Sequence, residues 1–207
     1  MDQSIFDQLP APIVPVLVLE YSTKAQQVGM AFMQSGLPIL EVTLRTKSAW
    51  DSIARLQEIS GLSVGVGSIT SLAQLQKAIA MKVGFMVSPG FDEVLVEEAL
   101  RHEVPYLPGV ANPSDLMRAQ RFNLTTLKFF PAETLGGVKA IKAMSAPFPN
   151  FKFIPTGGIT DKNVKDYLKE KNIPAVGGSW MISQEAIDSN DFSQLSADIS
   201  QALASTL

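Results

Sequence analysis

Eight short apolar runs, separated by longer stretches with helical periodicity, constrain the fold of this chain more than any other feature. The runs are rich in Val, Ile and Phe, and their first residues recur every 20 to 26 positions. That spacing is close to the minimum for a strand, a crossover helix and two loops, so each run predicts one βα unit. The predicted strands cover residues 13–19, 39–44, 63–68, 85–89, 105–110, 126–131, 152–158 and 175–180.

The intervals between the predicted strands have the apolar periodicity of amphipathic helices. Two further helices are expected, one after the sixth strand and a closing one beyond residue 191. N-capping side chains are expected at Thr70 or Ser71, at Asn112-Pro113-Ser114 and at Thr160-Asp161. Six amphipathic helices are predicted over residues 22–35, 47–59, 71–82, 91–102, 114–121 and 163–171.

Eight βα units that close on themselves form an α/β fold, the (β/α)8 TIM barrel, whose active site lies at the carboxyl ends of the strands. The 207 residues contain no linker or low-complexity segment, so we expect one domain over residues 1–207 with a short N-terminal extension at 1–12. An open, doubly wound sheet is the alternative. It is disfavoured because no Gly-rich βα turn is followed by an acidic partner.

Composition excludes several classes of function. A net charge of −3 with no basic block predicts no binding to nucleic acid or to an anionic membrane. The absence of cysteine and the single His102 argue against a disulfide framework and a Cys- or His-based metal site. Asp2 and Asp7 lie where a signal peptide needs positive charge, and the next apolar run is shorter than a membrane span of about 20 residues. We therefore expect a cytoplasmic protein.

One lysine and one glutamate stand in strands that should be almost entirely apolar. Lys128 lies in the sixth run, and period-two alternation places it on the same face as Phe130. Glu41 lies in the second run, on one face with Arg45, which follows at the carboxyl end of that strand. Across a barrel interior Glu41 can meet Lys128, either as a structural ion pair or as a nucleophile with its proton carrier. Arg45 can clamp a substrate carboxylate.

Two glycine pairs end the last two strands. Gly157-Gly158 follows Thr156, and Gly177-Gly178 precedes Ser179. Glycines after the seventh and eighth strands of a barrel allow backbone N–H groups to approach a phosphate, although each pair alone is also an ordinary turn. Ser68 and Pro89 add small residues to the same rim, where Ser68 can donate a hydrogen bond.

The motifs resemble one known family. They occur in order as LEVTLR at 40–45, VGVGSI at 64–69, SPG at 88–90, KFFPAE at 128–133, GGVKA at 136–140, PTGG at 155–158 and GGSW at 177–180. This series is similar to that of 2-keto-3-deoxy-6-phosphogluconate (KDPG) aldolase, also called 4-hydroxy-2-oxoglutarate (KHG) aldolase. The resemblance runs from about residue 14 to residue 180.

The resemblance implies a class I aldolase of the Entner–Doudoroff pathway, with no metal and no cofactor, assembled as a homotrimer of barrels. Its substrate would be a phosphorylated 2-keto-3-deoxy sugar acid, cleaved to pyruvate and glyceraldehyde 3-phosphate, and 4-hydroxy-2-oxoglutarate would be cleaved to pyruvate and glyoxylate. Lys128 would form the Schiff base and Glu41 would act as general acid and base. The implied substrate-binding residues are Arg45, Ser68, Pro89, Phe130, Thr156, Gly157, Gly158, Gly178 and Ser179.

Two positions refine this expectation, and two other classes stay open. Ser68 stands where the family usually has threonine, so the hydroxyl is kept. Thr156 favours the gluconate-derived substrate, because relatives that act on the galactonate isomer tend to have an apolar residue there. A phosphosugar isomerase, epimerase or decarboxylase could use the same phosphate site without an imine. A non-catalytic barrel could use Lys128 and Glu41 as a structural pair.

Overall fold

The computed structural model describes residues 4–6 and 8–206. Its nine strands are all parallel to their neighbours, and they are short, with two to five residues each. They are β1 (Ile13–Leu17), β2 (Ile39–Thr43), β3 (Ser63–Gly67), β4 (Phe85–Val87), β5 (Tyr106–Leu107), β6 (Gly109–Val110), β7 (Thr126–Phe129), β8 (Lys152–Pro155) and β9 (Val176–Gly178).

The strands close into a barrel with eight positions. Hydrogen bonds join β5, β4, β3, β2, β1 and β9 in that order, and a second set joins β6, β7 and β8. β5 and β6 share one barrel position, since only Pro108 separates them and each pairs with a different neighbour. A parallel bridge between Thr156 and Gly177 links the end of β8 to β9 and completes the closure.

Helices follow the strands and cover the outside of the barrel. Asn112 and Ser71 cap two of them, because each side chain accepts a hydrogen bond from a backbone N–H in the first turn. The helices are α1 (Ala25–Gln34), α2 (Ala49–Gln57), α3 (Leu72–Ala80), α4 (Glu93–Arg101), α5 (Pro113–Arg121), α6 (Gly137–Ser145), α7 (Val164–Leu168), α8 (Gln184–Asp188) and α9 (Phe192–Ala204).

The N-terminal extension supplies part of the core at the amino ends of the strands. A short 3-10 helix, Ser4–Phe6, buries Phe6, whose ring contacts Phe85 edge to face at a centroid distance of 5.9 Å. Phe85 begins β4 and its ring lies over Gly65 of β3, where any Cβ would collide with it. Such aromatic pairs contribute about 0.5–1.5 kcal/mol beyond the area that they bury.

The (β/α)8 prediction is confirmed, and the differences are local. β7 ends at Phe129 and not at residue 131, and the predicted fifth strand is divided at Pro108, which has no N–H for a ladder bond. The expected N-cap at Thr160-Asp161 is wrong: α7 begins at Val164 after Asn163, whose side chain accepts a hydrogen bond from the Thr160 N–H instead. Helix α8 was not predicted. No helix of the described residues is long and apolar enough to cross a membrane.

Candidate active site

Lys128 and Glu41 face each other inside the barrel. Lys128 stands on β7 between Gly109 and Ile154 of the flanking strands, and Glu41 stands on β2. The Lys128 Nζ lies 3.7 Å from the Glu41 Oε1, and the two side chains are only 7% and 3% exposed. This distance is that of an ion pair and is longer than a hydrogen bond. Period-two alternation therefore predicted this encounter correctly.

The Glu41 side chain fits inside the barrel because the neighbouring strand, β3, carries a glycine beside it. An added Cβ on Gly67 would overlap the Glu41 carboxylate, with Cγ at 2.7 Å. The Glu41 Oε1 is buried and has no hydrogen-bond partner among the described residues. A buried acceptor without a donor is costly in a purely structural pair, so this oxygen is available to a ligand or to a reacting proton. Sequence reasoning missed Gly67, although glycines at alternate strand positions often mark such a close approach.

Phe130 forms a wall beside the lysine. It follows β7 directly, and its half-buried ring has its centroid 5.3 Å from the Lys128 Nζ. The negative face of an aromatic ring attracts a cation at this distance by about 0.5–2 kcal/mol, depending on desolvation. The ring can therefore stabilise a cation that forms at this position.

Three further predicted residues lie at the carboxyl ends of neighbouring strands. Arg45 is exposed in the turn after β2, and Pro89 is half-buried after β4. Ser68 follows β3 with a left-handed φ of 61°, which is uncommon for a residue with a Cβ. Strained backbone of this kind persists where the surrounding structure over-determines it, often near functional sites. All three lie at the carboxyl-end rim of the barrel.

The loop after β8 combines a buried threonine with two glycines. Thr156 is buried, and its side chain fills the space that a Cβ on Gly177 would need. Gly157 and Gly158 have φ values of 101° and 80°, which favour glycine. The Gly158 N–H donates to no backbone acceptor within the described part of the chain. Such a glycine loop can present N–H groups to an anion.

The loop after β9 lies next to it in the barrel. Gly178 is the last residue of β9 and Ser179 is exposed directly after it. The Trp180 ring covers Gly178 so closely that any Cβ there would overlap it. The structure thus brings both predicted glycine pairs to adjacent strand ends, because β8 and β9 are neighbours through the bridge at Thr156 and Gly177.

A buried hydroxyl pair supports the rim on the opposite side. The Tyr106 hydroxyl donates to the Ser88 Oγ at 2.6 Å, and both residues are fully buried. Burial raises the pKa of Tyr106 well above its usual range, an effect that the hydrogen bond to Ser88 partly offsets. Among residues 4–6 and 8–206 no group of three or more His, Asp or Glu side chains could hold a metal ion.

Comparison with known proteins points to one family. The family model for KDPG and KHG aldolase matches residues 6–197. The chain belongs to this family. A 2-dehydro-3-deoxy-phosphogluconate aldolase of Dickeya dadantii is 39% identical over 93% of this chain and 91% of its own length.

Two solved aldolase structures share the fold over nearly the whole length. One is the 2-keto-3-deoxy-6-phosphogluconate aldolase of Zymomonas mobilis ZM4 with 3-phosphoglycerate, with a TM-score of 0.92, 36% identity and coverage of 98% of this chain and 97% of that one. The other is the KDPG aldolase of Legionella pneumophila, with pyruvate captured as a covalent carbinolamine intermediate. Its TM-score is 0.92 at 33% identity, with 97% of each chain covered.

Proposed function

We propose that the chain is a class I aldolase that cleaves 2-dehydro-3-deoxy-6-phosphogluconate to pyruvate and glyceraldehyde 3-phosphate, and also 4-hydroxy-2-oxoglutarate to pyruvate and glyoxylate. The observation that carries the proposal is the buried pair of Lys128 and Glu41. At 3.7 Å the two groups need to approach by less than about 1 Å to reach hydrogen-bond distance for proton transfer, and the Glu41 Oε1 lacks a donor among the described residues. An amine beside a positioned proton carrier is the arrangement that imine chemistry needs.

The first half of the reaction forms the imine. Glu41 takes a proton from Lys128, and the neutral amine attacks the C2 ketone of the substrate to give a carbinolamine. Glu41 then delivers a proton to the departing hydroxyl, so that water leaves and an iminium forms. The Phe130 ring, 5.3 Å from the lysine nitrogen, stabilises the positive charge of that iminium.

The second half breaks the carbon–carbon bond. Glu41, a carboxylate again after the dehydration, takes the proton of the C4 hydroxyl, and the electrons of the C3–C4 bond move into the iminium to give an enamine and an aldehyde. Glyceraldehyde 3-phosphate leaves when the substrate is the phosphorylated sugar acid. Glu41 returns a proton to C3, and water then hydrolyses the imine and frees pyruvate.

The rim residues fix the substrate on either side of the reacting carbons. Arg45 and Ser68, at the ends of β2 and β3, would bind the carboxylate of the pyruvate half. Pro89 and Phe130 would line the apolar wall, and Thr156 would approach the reacting end. The phosphate would lie between the glycine loops, bound by Gly157, Gly158, Gly178 and Ser179.

A coupled assay tests the proposal. Purified protein with 2-dehydro-3-deoxy-6-phosphogluconate should release pyruvate, followed through lactate dehydrogenase, and the rate should be unchanged by a chelator. Loss of activity with the chelator would indicate a metal-dependent aldolase. Isomerised or epimerised sugar phosphate without pyruvate would favour the isomerase alternative, and no turnover would favour the structural pair.

Substrate preference, assembly and location complete the proposal. The hydroxyl of Thr156 favours the gluconate-derived acid over its galactonate isomer, and rates measured side by side on these two acids and 4-hydroxy-2-oxoglutarate would rank them.

The family resemblance supports a homotrimer and a place in the Entner–Doudoroff pathway, and light scattering would measure the number of subunits in the assembly. We also infer a single domain over residues 1–207 with its short extension at 1–12, of which positions 1–3 and 7 lie outside the described residues. A cytoplasmic location stays a prediction.

A further inference from the structure

Hydrogen bonds join the glycine loop after β8, residues 156–158, to the segment that follows β7, the strand that carries Lys128. The Ala132 N–H donates to the Thr156 carbonyl at 2.8 Å, and the Glu133 N–H donates to the Gly157 carbonyl at 3.0 Å. The Asn163 Nδ2 donates to the Gly158 carbonyl at 3.0 Å. All three carbonyls of the loop thus have donors from outside it.

The Glu133 side chain also covers the loop directly. A Cβ on Gly158 would lie 2.7 Å from both the Cβ and the Cγ of Glu133, so the aliphatic part of the glutamate packs against that glycine. A carboxylate this close to a phosphate site would repel the ligand unless it is turned away and held. Its orientation is therefore important for any anion that binds at Gly158.

Tyr167 of α7 determines where that carboxylate points. The Tyr167 hydroxyl donates a hydrogen bond to the Glu133 Oε1. A Cβ on Gly137, the first residue of α6, would lie 3.0 Å from the same oxygen and 2.9 Å from the tyrosine oxygen. The carboxylate is thus directed at the N-terminus of α6, where the helix dipole favours a negative charge. Tyr167 itself is buried and fixed in the core.

We propose that Glu133 and Tyr167 form a positioning pair that holds residues 156–158 ready for a phosphate and keeps the Glu133 carboxylate away from it. Their contacts are with the glycine loop and the start of α6, so the pair acts on the phosphate half of the substrate and determines the preference for phosphorylated over unphosphorylated substrate. The inference rests on the proposed function, because it specifies which half of the substrate depends on the pair.

Loss of the positioning pair should therefore affect the phosphorylated substrate and leave the unphosphorylated one nearly unchanged. Tyr167→Phe removes the hydroxyl and frees the carboxylate to rotate toward the loop. The KM for 2-dehydro-3-deoxy-6-phosphogluconate should rise about 5- to 10-fold, which corresponds to the net contribution of one ordinary hydrogen bond. The kcat for that substrate, and kcat/KM for 4-hydroxy-2-oxoglutarate, which has no phosphate, should stay within about 2-fold.

Two variants serve as controls. Glu133→Gln removes the charge but keeps an amide oxygen that can accept from Tyr167, so its KM for the phosphorylated acid should stay close to that of the wild type. Ser145→Ala also removes one hydroxyl, which is half-buried at the last residue of α6 and accepts from the Asn172 Nδ2 at 2.7 Å, and it should not change the ratio between the two substrates. Circular dichroism checks that each variant folds, and Glu133→Ala replaces Tyr167→Phe if the latter does not.

The outcomes separate the inference from the proposed function. A selective rise in KM for the phosphorylated acid in Tyr167→Phe or Glu133→Ala supports the positioning pair. An equal effect on both substrates, or no effect on either, overturns the inference while cleavage by the wild type preserves the proposed function. If the wild-type protein cleaves neither substrate, both are overturned.

Discussion

The Lys128 Nζ lies 3.7 Å from the Glu41 Oε1, across the interior of a closed barrel. The contact joins β7 to β2, which stand at non-adjacent positions of the barrel. A buried pair at this distance has lost hydration without forming a hydrogen bond, so it adds little to stability. The arrangement is therefore better explained by chemistry between the two groups than by their contribution to the fold.

Replacing the proton carrier should affect catalysis more than folding. Glu41→Gln keeps the size of the side chain but cannot move protons, so kcat should fall about 10²- to 10⁴-fold. The exposed Glu97 on α4 offers a matched control, since Glu97→Gln should retain wild-type kcat. Steady-state kinetics on both variants tests this, and a Glu41→Gln enzyme with a normal kcat would remove Glu41 from the mechanism.

The glycine beside Glu41 should matter as much as Glu41 itself. Gly67→Ala introduces a Cβ that overlaps the Glu41 carboxylate, and the displaced carboxylate should reduce kcat at least about 10-fold. In contrast, Gly36→Ala has open space but a φ of 80°, so it should lose about 1 kcal/mol of stability and keep its activity. Kinetics and thermal unfolding measured on both variants distinguish the two effects. Equal activity in the two variants would show that the position of the Glu41 carboxylate does not depend on Gly67.

The aromatic wall should stabilise the cationic intermediate. Phe130→Leu keeps apolar bulk but removes the ring that lies 5.3 Å from the lysine nitrogen, and kcat should fall about 3- to 30-fold. Phe130→Tyr keeps the ring and should remain closer to the wild type. Single-turnover rates of imine formation with pyruvate are the appropriate measurement. A Leu variant as fast as the wild type would reduce Phe130 to a packing role.

Stability should decrease in alkaline solution. Burial raises the pKa of Tyr106 above its ordinary value of 10.0. Above pH 10.0 the unfolded chain therefore loses a proton that the folded chain keeps, and the free energy of unfolding falls by up to about 1.4 kcal/mol per pH unit. Below pH 10.0 this contribution is fully present. Urea unfolding from about pH 9 to about pH 11 should show a shallower decline for Tyr106→Phe; equal slopes would contradict the assignment.

The sequence was sufficient for the architecture and for the central pair, because both follow from regular spacing. Strand-like runs at nearly constant intervals predict the barrel, and period-two alternation places Glu41 and Lys128 inside it. The break at Pro108 and the extra helix α8 were not predicted, since they depend on local backbone chemistry rather than on period.

The supporting contacts could not be predicted from the sequence. Gly67 beside Glu41, Gly177 beside Thr156, and the hydrogen bond from Tyr167 to Glu133 each join residues far apart in the chain. Their geometry depends on how neighbouring strands and helices pack, for which a single sequence carries no periodic signal.

The central claim is that Lys128 forms an imine with the substrate. Incubation with pyruvate and borohydride should fix the imine as a stable secondary amine, and mass spectrometry should find the reduced pyruvate adduct on the peptide that contains Lys128. Lys152, at the opposite end of the barrel on β8, should remain unmodified. Active protein that carries no adduct on Lys128 after this treatment would contradict the mechanism.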